Sequence, residues 1–471
     1  MKGFKYLFKN IGLLAIGQFG TKLLAFFLVP LYTSVLTAEE YGTYDLFNST
    51  VNLLIPILTL NLADSVLRFS LDKNKDKKDI LSISIKYAFI GGGLFFAFAI
   101  MNHILSIFQT IDLYWYFLPI VFITTVLNTN LTYFARGLDK VKATAISGIL
   151  CSAVMIILNI YFLLYLKIGL MGYFLANIIG ISVQLFYLFV DCKCWKYIGL
   201  KVNHKLEKEM KNFCLPLIAN NLAWWVNNSS DRYIVTFFCG VAANGIYSVG
   251  YKIPTILNIF QSIFNQAWTL SAVKDFDPED EDGFFTKMYN IYNAGMVIIC
   301  SVLIISARII AKFLYAKDFF LAWKYVPFLL IAIVFGSLSG YLGGVFSAVK
   351  DSKIFAQSTV VGAIVNTLLN IILILYFGPI GVAVATMVSF WLVWVIRLKH
   401  TKKYIKINMN LKRDYCAYFL LIIQSILLFV FPMETIILYA IQIFILLVIF
   451  ALFNKEIRGI VNTLLRKFVK R

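Results

Sequence analysis

Gly42-Thr43-Tyr44, at the head of the second long apolar stretch of the chain, returns as Gly245-Ile246-Tyr247 at the head of the eighth. Leu158-Asn159 returns as Leu369-Asn370, and Gly169 with Gly172 as Gly378 with Gly381, so one offset of about 200 residues persists along most of the sequence. Six apolar stretches separate each element from its copy. An even number makes both copies enter a bilayer in the same direction, a parallel repeat about an axis along the membrane normal. Two similar multi-span lobes can rock around a central site, which is the architecture of a transporter.

The composition demands a bilayer. Of 471 residues, 60% are apolar and only 14% charged, outside the range of ordinary soluble domains. Runs such as 425–453, interrupted only around Pro432–Thr435, are too uniform for the alternating strands of a membrane barrel, so the backbone must satisfy its hydrogen bonds within helices. Spans are predicted near 11–36, 44–70, 81–107, 114–135, 143–166, 170–190, 213–238, 246–272, 288–314, 324–347, 354–377, 379–398, 415–431 and 436–453. The expected fold is an all-α integral membrane protein of about fourteen helices: two six-helix lobes in parallel pseudo-repeat plus two C-terminal helices. The corresponding segments are a first lobe 1–192, a linker 193–212, a second lobe 213–398, a basic linker 399–414, helices 13 and 14 in 415–454 and a basic tail 455–471.

A net charge of +19 is informative through its placement. With the N-terminus inside, the basic segments 73–78, 136–142, 193–211, 397–413 and 455–471 share one side, and only Lys167, Lys312, Lys317 and Lys324 fall on the other. That asymmetry predicts both termini on the cytoplasmic side. It also predicts attraction to anionic membrane lipids, and no nucleic-acid motif accompanies it. The apolar stretch after the basic N-terminus lacks a small-residue cleavage pattern and is read as a retained first helix. Seven scattered cysteines and the separated His103, His204 and His400 indicate neither a disulfide framework nor a metal site, and no cofactor is expected. The acidic run 275–282 lacks the glycine and closing glutamate of a calcium loop and reads as a solvated connection. Pro30, Pro56, Pro216 and Pro254 fall in or near the first two spans of each lobe, where they can act as bending points or simply be tolerated.

Ionisable groups inside spans cost about 2.5–3.5 kcal/mol each at a helix centre, so the few present carry the functional argument. They are Lys22 in the first span, Asp64 and Arg68 in the second, Asp231 and Arg232 in the seventh, Lys252 in the eighth and Arg308 in the ninth. Cations outnumber anions, which suits an anionic ligand. Asp64 and Arg68 stand four apart with the acid first, the order of a same-face pair, read either as a salt bridge or as a ligand contact. Lys22 has no acid one turn away, and its alternative is snorkelling. The seventh span is the most polar: Asn220, Trp224, Asn227 and Asp231 share one face, and Asn221, Trp225, Asn228 and Arg232 the adjoining one. Asn48 and Asn52 add amides one turn apart in the second span. Amides beside tryptophans can hold sugars, and helix–helix hydrogen bonding with an interfacial tryptophan belt is the structural alternative.

These residues carry a family likeness. Pro30-Leu31-Tyr32 with Leu36 to Tyr44, Ala63-Asp64-Ser65-Val66-Leu67-Arg68-Phe69, and Asp231-Arg232-Tyr233-Ile234 followed by Ala243-Asn244-Gly245-Ile246-Tyr247-Ser248 resemble the polysaccharide transporter family. These are the Wzx-type flippases, in the superfamily that also holds the MATE exporters and the lipid II flippases. The resemblance covers about residues 8–398. It implies non-enzymatic translocation, by alternating access, of an undecaprenyl-diphosphate-linked oligosaccharide across the bacterial inner membrane for O-antigen, capsule or a similar surface polymer. It also implies a polymerase and a chain-length regulator of the same pathway as partners. By that reading Lys22, Arg68, Arg232 and Lys252 are diphosphate ligands. Asn48, Asn52, Asn220, Asn221, Trp224, Trp225 and Asn228 are glycan contacts, and Asp64 and Asp231 serve ion coupling or gating. Only Arg68 and Arg232 lie within motif-like sequence. A lipid II flippase and a MATE-like ion-coupled antiporter of the same fold are the alternatives, the latter disfavoured by the surplus of cations. A membrane glycosyltransferase or polymerase would bring a larger outer loop, and a scaffold would leave the buried charges unexplained.

Overall fold

The computed structural model describes residues 26–72, 74–106, 112–199, 202–349, 351–431 and 435–459. All the regular structure in them is helical: α1 Val29–Val35, α2 Ala38–Leu58, α3 Leu62–Ser70, α4 Lys77–Leu105, α5 Phe117–Gly137, α6 Val141–Ile160, α7 Gly169–Asp191, α8 His204–Cys239, α9 Val241–Gly250, α10 Pro254–Lys274, α11 Phe284–Leu314, α12 Val326–Ala348, α13 Ser352–Phe377, α14 Pro379–Thr401, α15 Leu411–Val430 and α16 Ile436–Leu452. Among the described residues, nine helices are long and apolar enough to cross a membrane, and ten if α2 and α3 count as one bent span. The protein is an all-α, multi-pass integral membrane protein. Lys22 and the first predicted span up to residue 25 lie outside the described residues.

The second and eighth predicted spans are not continuous helices. Between α2 and α3 the path bends by 62°, because Leu60 and Asn61 take left-handed backbone angles (φ 51° and 53°). Pro56 lies one turn earlier, where it removes a helical hydrogen bond. The eighth span breaks at 251–253 and resumes at α10 with Pro254 in its first turn, the helical position proline tolerates best. Each break leaves backbone groups that only protein or water can satisfy. The start of α2 is set locally by a capping box: Thr37 Oγ1 accepts from Glu40 N at 3.2 Å, and Glu40 Oε2 accepts from Thr37 N at 2.8 Å.

The described residues gather into two compact units, 26–245 and 246–459, whose boundary falls within α9. In the first unit α4 packs on α5, α5 on α7 and α6 on α7, while α8 lies along α2 and α3. The end of this unit that carries basic loops is closed by a core including Val66, Leu81, Phe134, Leu188 and Met210. Much of the expected linker is helix here, since Asn203 Oδ1 accepts from Lys205 N and Leu206 N and starts α8 at His204.

In the second unit α12 is buried around its circumference and packs against α10, α11, α14 and α15. Gly344 lets α10 approach so closely that a Cβ there would meet the Trp268 indole, whose Nε1 donates to Tyr341 O at 2.9 Å. Helices α15 and α16 are less greasy at their contacts than their sequences predict. A polar seam ties them to α11: Arg413 donates to Asn290 Oδ1 at 2.7 Å, Tyr418 Oη to Asn293 Oδ1 at 3.0 Å and Ser301 Oγ to Gln424 Oε1 at 2.8 Å. Gln424 and Gln442 exchange amide-to-carbonyl hydrogen bonds between α15 and α16. Arg308 belongs to the same seam, donating to Leu428 O with its guanidinium 4.1 Å from the Trp323 ring centroid.

The acidic run is more than a solvated connection. Asp280 is buried and caps α11, accepting from Phe285 N and Thr286 N at 2.9 Å, while Glu279 pairs with Lys406 of the basic linker at 2.5 Å. Arg397, grouped by sequence with the basic linker, is buried within α14 instead.

Candidate functional site

The polar faces of α2 and α8 meet. Asp45, Asn48 and Asn52 follow one another at i, i+3 and i+7 along one face of α2. From α8, Arg232 Nε lies 2.7 Å from Asp45 Oδ2, with the two side chains 16% and 19% exposed. Arg232 Nη1 also donates to the Asn228 carbonyl at 2.8 Å. Two further bonds fix the register of the helices: Trp225 Nε1 donates to Ser49 O at 2.9 Å, and Tyr233 Oη lies 2.6 Å from Thr50 Oγ1. Thr50 Oγ1 already donates to Leu46 O, so the tyrosine is the donor. The Trp225 and Tyr233 rings pack at 5.5 Å.

The structure therefore places Trp225 and Arg232 in contact with α2, one face of which carries Asn48 and Asn52, with Asn228 one turn before Arg232 on α8. The amides are used differently from expectation. Asn227 and Asn228 turn their NH2 groups back onto Ala223 O (3.1 Å) and Trp224 O (2.7 Å) of their own helix, the local competition that such side chains offer in helices. Asn228 is exposed and so presents its Oδ1 as an acceptor. Asn220 and Trp224 are exposed and Asn221 half-buried on the preceding turns of α8. Asp231 is fully buried; its neighbour Arg232, about 100° away round the helix, pairs with Asp45.

The predicted Asp64–Arg68 pair is not formed among the described residues. Asp64 occupies the first turn of α3 and accepts from Asn61 Nδ2 at 2.6 Å, closing the helix break. Arg68, on the last turn, is exposed. The salt-bridge reading is therefore not met: the break just before α3 brings the Asn61 amide to the Asp64 carboxylate in place of Arg68. Lys252 sits in the break of the eighth span, in the second unit.

Sequence reading missed Asp45, although it continues the Asn48/Asn52 face by one turn, because it lies at the first turn of the predicted span. It also missed Glu207. This carboxylate, 5% exposed, accepts from Tyr87 Oη at 2.7 Å and from Lys86 and Lys211 at 3.1 Å, with His204 at 3.5 Å. Burial pushes its carboxyl up, but the bonds from Tyr87, Lys211 and Lys86 outweigh burial and bring it down to about 2. Glu207 thus joins the first turns of α8 to α4 beyond the membrane-spanning part.

The family model for polysaccharide biosynthesis proteins matches residues 7–269, more than half of the chain and all of α2 and α8. The chain belongs to the polysaccharide biosynthesis protein family. This bears out the resemblance read from the sequence. Among characterised relatives, the probable low-salt glycan biosynthesis flippase Agl15 of Haloferax volcanii is 22% identical over 237 residues, 48% of this chain and 49% of that protein. The chain thus spans about half the length of the curated relative it matches. Among solved structures, the lipid II flippase MurJ in an inward closed conformation superposes with a TM-score of 0.71 at 15% identity, covering 95% of this chain and 99% of that one. An inward-facing multidrug resistance MATE family transporter of the MOP superfamily gives 0.67 at 13% identity over 82% and 95%. At such identities the likeness is one of fold.

Proposed function

We propose that this polysaccharide biosynthesis family member is a flippase that carries an undecaprenyl-diphosphate-linked oligosaccharide across the bacterial inner membrane, with both termini cytoplasmic, by alternating access of two lobes, 1–192 and 213–398. The observation that carries the reading is Arg232 of α8 beside Asp45 of α2, with Asn48 one turn on along α2 and the Asn228 carbonyl one turn back along α8. A guanidinium is planar and always charged, and it pairs with phosphate in a bidentate fashion. The surrounding amides and Trp224 offer the hydrogen bonds and apolar surface that a glycan needs. Arg68, exposed at the end of α3, is the proposed second phosphate contact, with Lys22 and Lys252 completing the set and Asp231 or Asp64 serving ion coupling. The family membership, the multi-pass fold and the glycan flippase relative support this reading; the inferred partners are the polymerase and the chain-length regulator of the same pathway. The reading excludes catalysis as the main activity, since translocation needs no bond to break.

Complementation tests it. Arg232→Gln and Arg68→Gln together should abolish export of the surface polymer in cells where the variant inserts at normal level. Full export by the double variant would overturn the proposal.

A further inference from the structure

Arg397, near the end of α14, is buried, yet no carboxylate lies within ion-pair distance of it among the described residues. Its partners are neutral: Nε donates to Ser358 Oγ at 2.9 Å, Nη1 to Ser339 O at 2.8 Å and Nη2 to Thr359 Oγ1 at 2.9 Å, with the guanidinium 4.1 Å from the Phe355 ring centroid. With Nη2 also donating to Phe355 O at 3.3 Å, each guanidinium nitrogen has a partner, but the positive charge is left uncompensated, an expensive state for a buried ion. Ser358 is also part of the wall of a groove of about 520 Å³ between α13 and α14, lined by Ile354, Gln357, Val361, Ile396 and His400 as well. The arginine charge therefore stands directly behind that wall.

The groove joins two unlike surfaces. At one end Lys353, Lys399, Lys402 and Lys403 are exposed on the basic ends of α13 and α14. The nearby acid, Asp351, is already engaged, accepting from Tyr404 Oη at 2.6 Å and capping Lys353 N and Ile354 N. At the other end the lining residues Val360 and Val361 expose 46% and 40% of their surface, and Ile364, one turn beyond the groove, 54%, along a helix long and apolar enough to cross a membrane. An apolar channel at bilayer depth ending in uncompensated positive charge fits an amphiphile with an anionic head.

We propose that this groove holds an anionic phospholipid from the leaflet next to the basic loops. One acyl chain runs along Val360, Val361 and Ile364, and the phosphate sits at the Gln357–His400 end in the field of Arg397 and within reach of Lys353 and Lys399. The complement is of charge as much as shape: a zwitterionic lipid would fill the same groove without neutralising the cations, and free phosphate would gain nothing from its apolar length.

Native mass spectrometry of the full-length purified protein tests this, with equimolar phosphatidylglycerol and phosphatidylcholine of identical acyl chains and inorganic phosphate in a separate arm. The wild type should retain phosphatidylglycerol in preference to phosphatidylcholine. Lys399→Gln should weaken that retention about fivefold, the effect of one cation at an anionic surface, and Val361→Trp, which fills the groove, should remove the preference. Equal retention of the two lipids by the wild type, an undiminished preference in Val361→Trp, or displacement of the lipid by inorganic phosphate would overturn the proposal. The wild-type comparison decides it even if the tryptophan variant does not fold.

Discussion

Gly42 and Gly245, the two glycines that head the sequence repeat, lie against each other. A Cβ on Gly42 would collide with the Val241 carbonyl and crowd Gly245 N, and one on Gly245 would collide with the Ala38 carbonyl and crowd Gly42 N. Asn244 Nδ2 donates to Gly42 O at 3.3 Å across the same approach. The repeated tripeptide is therefore a contact as well as a mark of duplication: the start of α2 and the start of α9 meet through hydrogen in place of side chains.

Substituting either glycine by alanine should force the two segments apart. The neighbouring atoms are backbone and cannot swing away, so a loss of about 1–3 kcal/mol is expected for each, the usual range for overpacking. Thermal unfolding in detergent, followed by fluorescence-detected size exclusion, checks it; unchanged melting of Gly42→Ala would show that the approach is looser than described.

Asp45 and Arg232 should behave as a coupled pair. Removing one partner leaves the other charge partly buried, so Asp45→Asn and Arg232→Gln should each destabilise, while the double variant recovers part of the loss. A coupling energy of about 1–3 kcal/mol is expected from a double-mutant cycle on unfolding. Export should stay lost in the double variant, separating the packing role of the pair from the proposed phosphate contact. Strictly additive single effects would mean the two groups do not interact in solution.

Glu207 gives the structure a pH dependence at its basic end. Its folded carboxyl takes up a proton only near pH 2, against about 4.5 for the ordinary group. The unfolded chain therefore binds that proton first as pH falls, and the contribution is whole above about pH 4.5 and lost progressively towards pH 2. Glu207→Gln should lower stability at pH 7 by about 3 kcal/mol, the equivalent of the pKa difference, and flatten the melting temperature between pH 5 and 3. A wild-type acid profile in Glu207→Gln would assign the acid sensitivity to other groups.

The Gln424–Gln442 exchange between α15 and α16 should be worth about 0.6–1.7 kcal/mol, as polar ties in membrane bundles are. Gln424→Leu removes the acceptor of the Ser301 hydroxyl and one of the two amide donors, while the Gln442 amide keeps its bond to the main-chain carbonyl of residue 424, so it should cost more than Gln442→Leu, which removes a single tie. Melting of the two variants compares them directly.

Much of the architecture was legible in the chain because hydropathy and helical period are local. Apolar runs of span length and a polar seventh span follow from residues close in sequence. So did the face of α8 that bears Trp225, Asn228 and Arg232, because 100° per residue fixes which side chains share a side. What period cannot give is the partner. Asp64 and Arg68 satisfy the i, i+4 rule within α3 and yet do not pair: left-handed Leu60 and Asn61 break the chain just before α3 and bring the Asn61 amide to the Asp64 carboxylate. Arg232 stands next to Asp231 in the chain and pairs with Asp45 from another helix. Arg397 reads as one more loop cation and is buried against neutral oxygens.

The sequence by itself determined the solvent, the number of apolar stretches, the repeat and the family, each a property of composition or short motif. Tertiary structure alone decided which charges meet, where spans break and that Arg397 is buried against neutral partners, because those depend on distances between helices far apart in the chain.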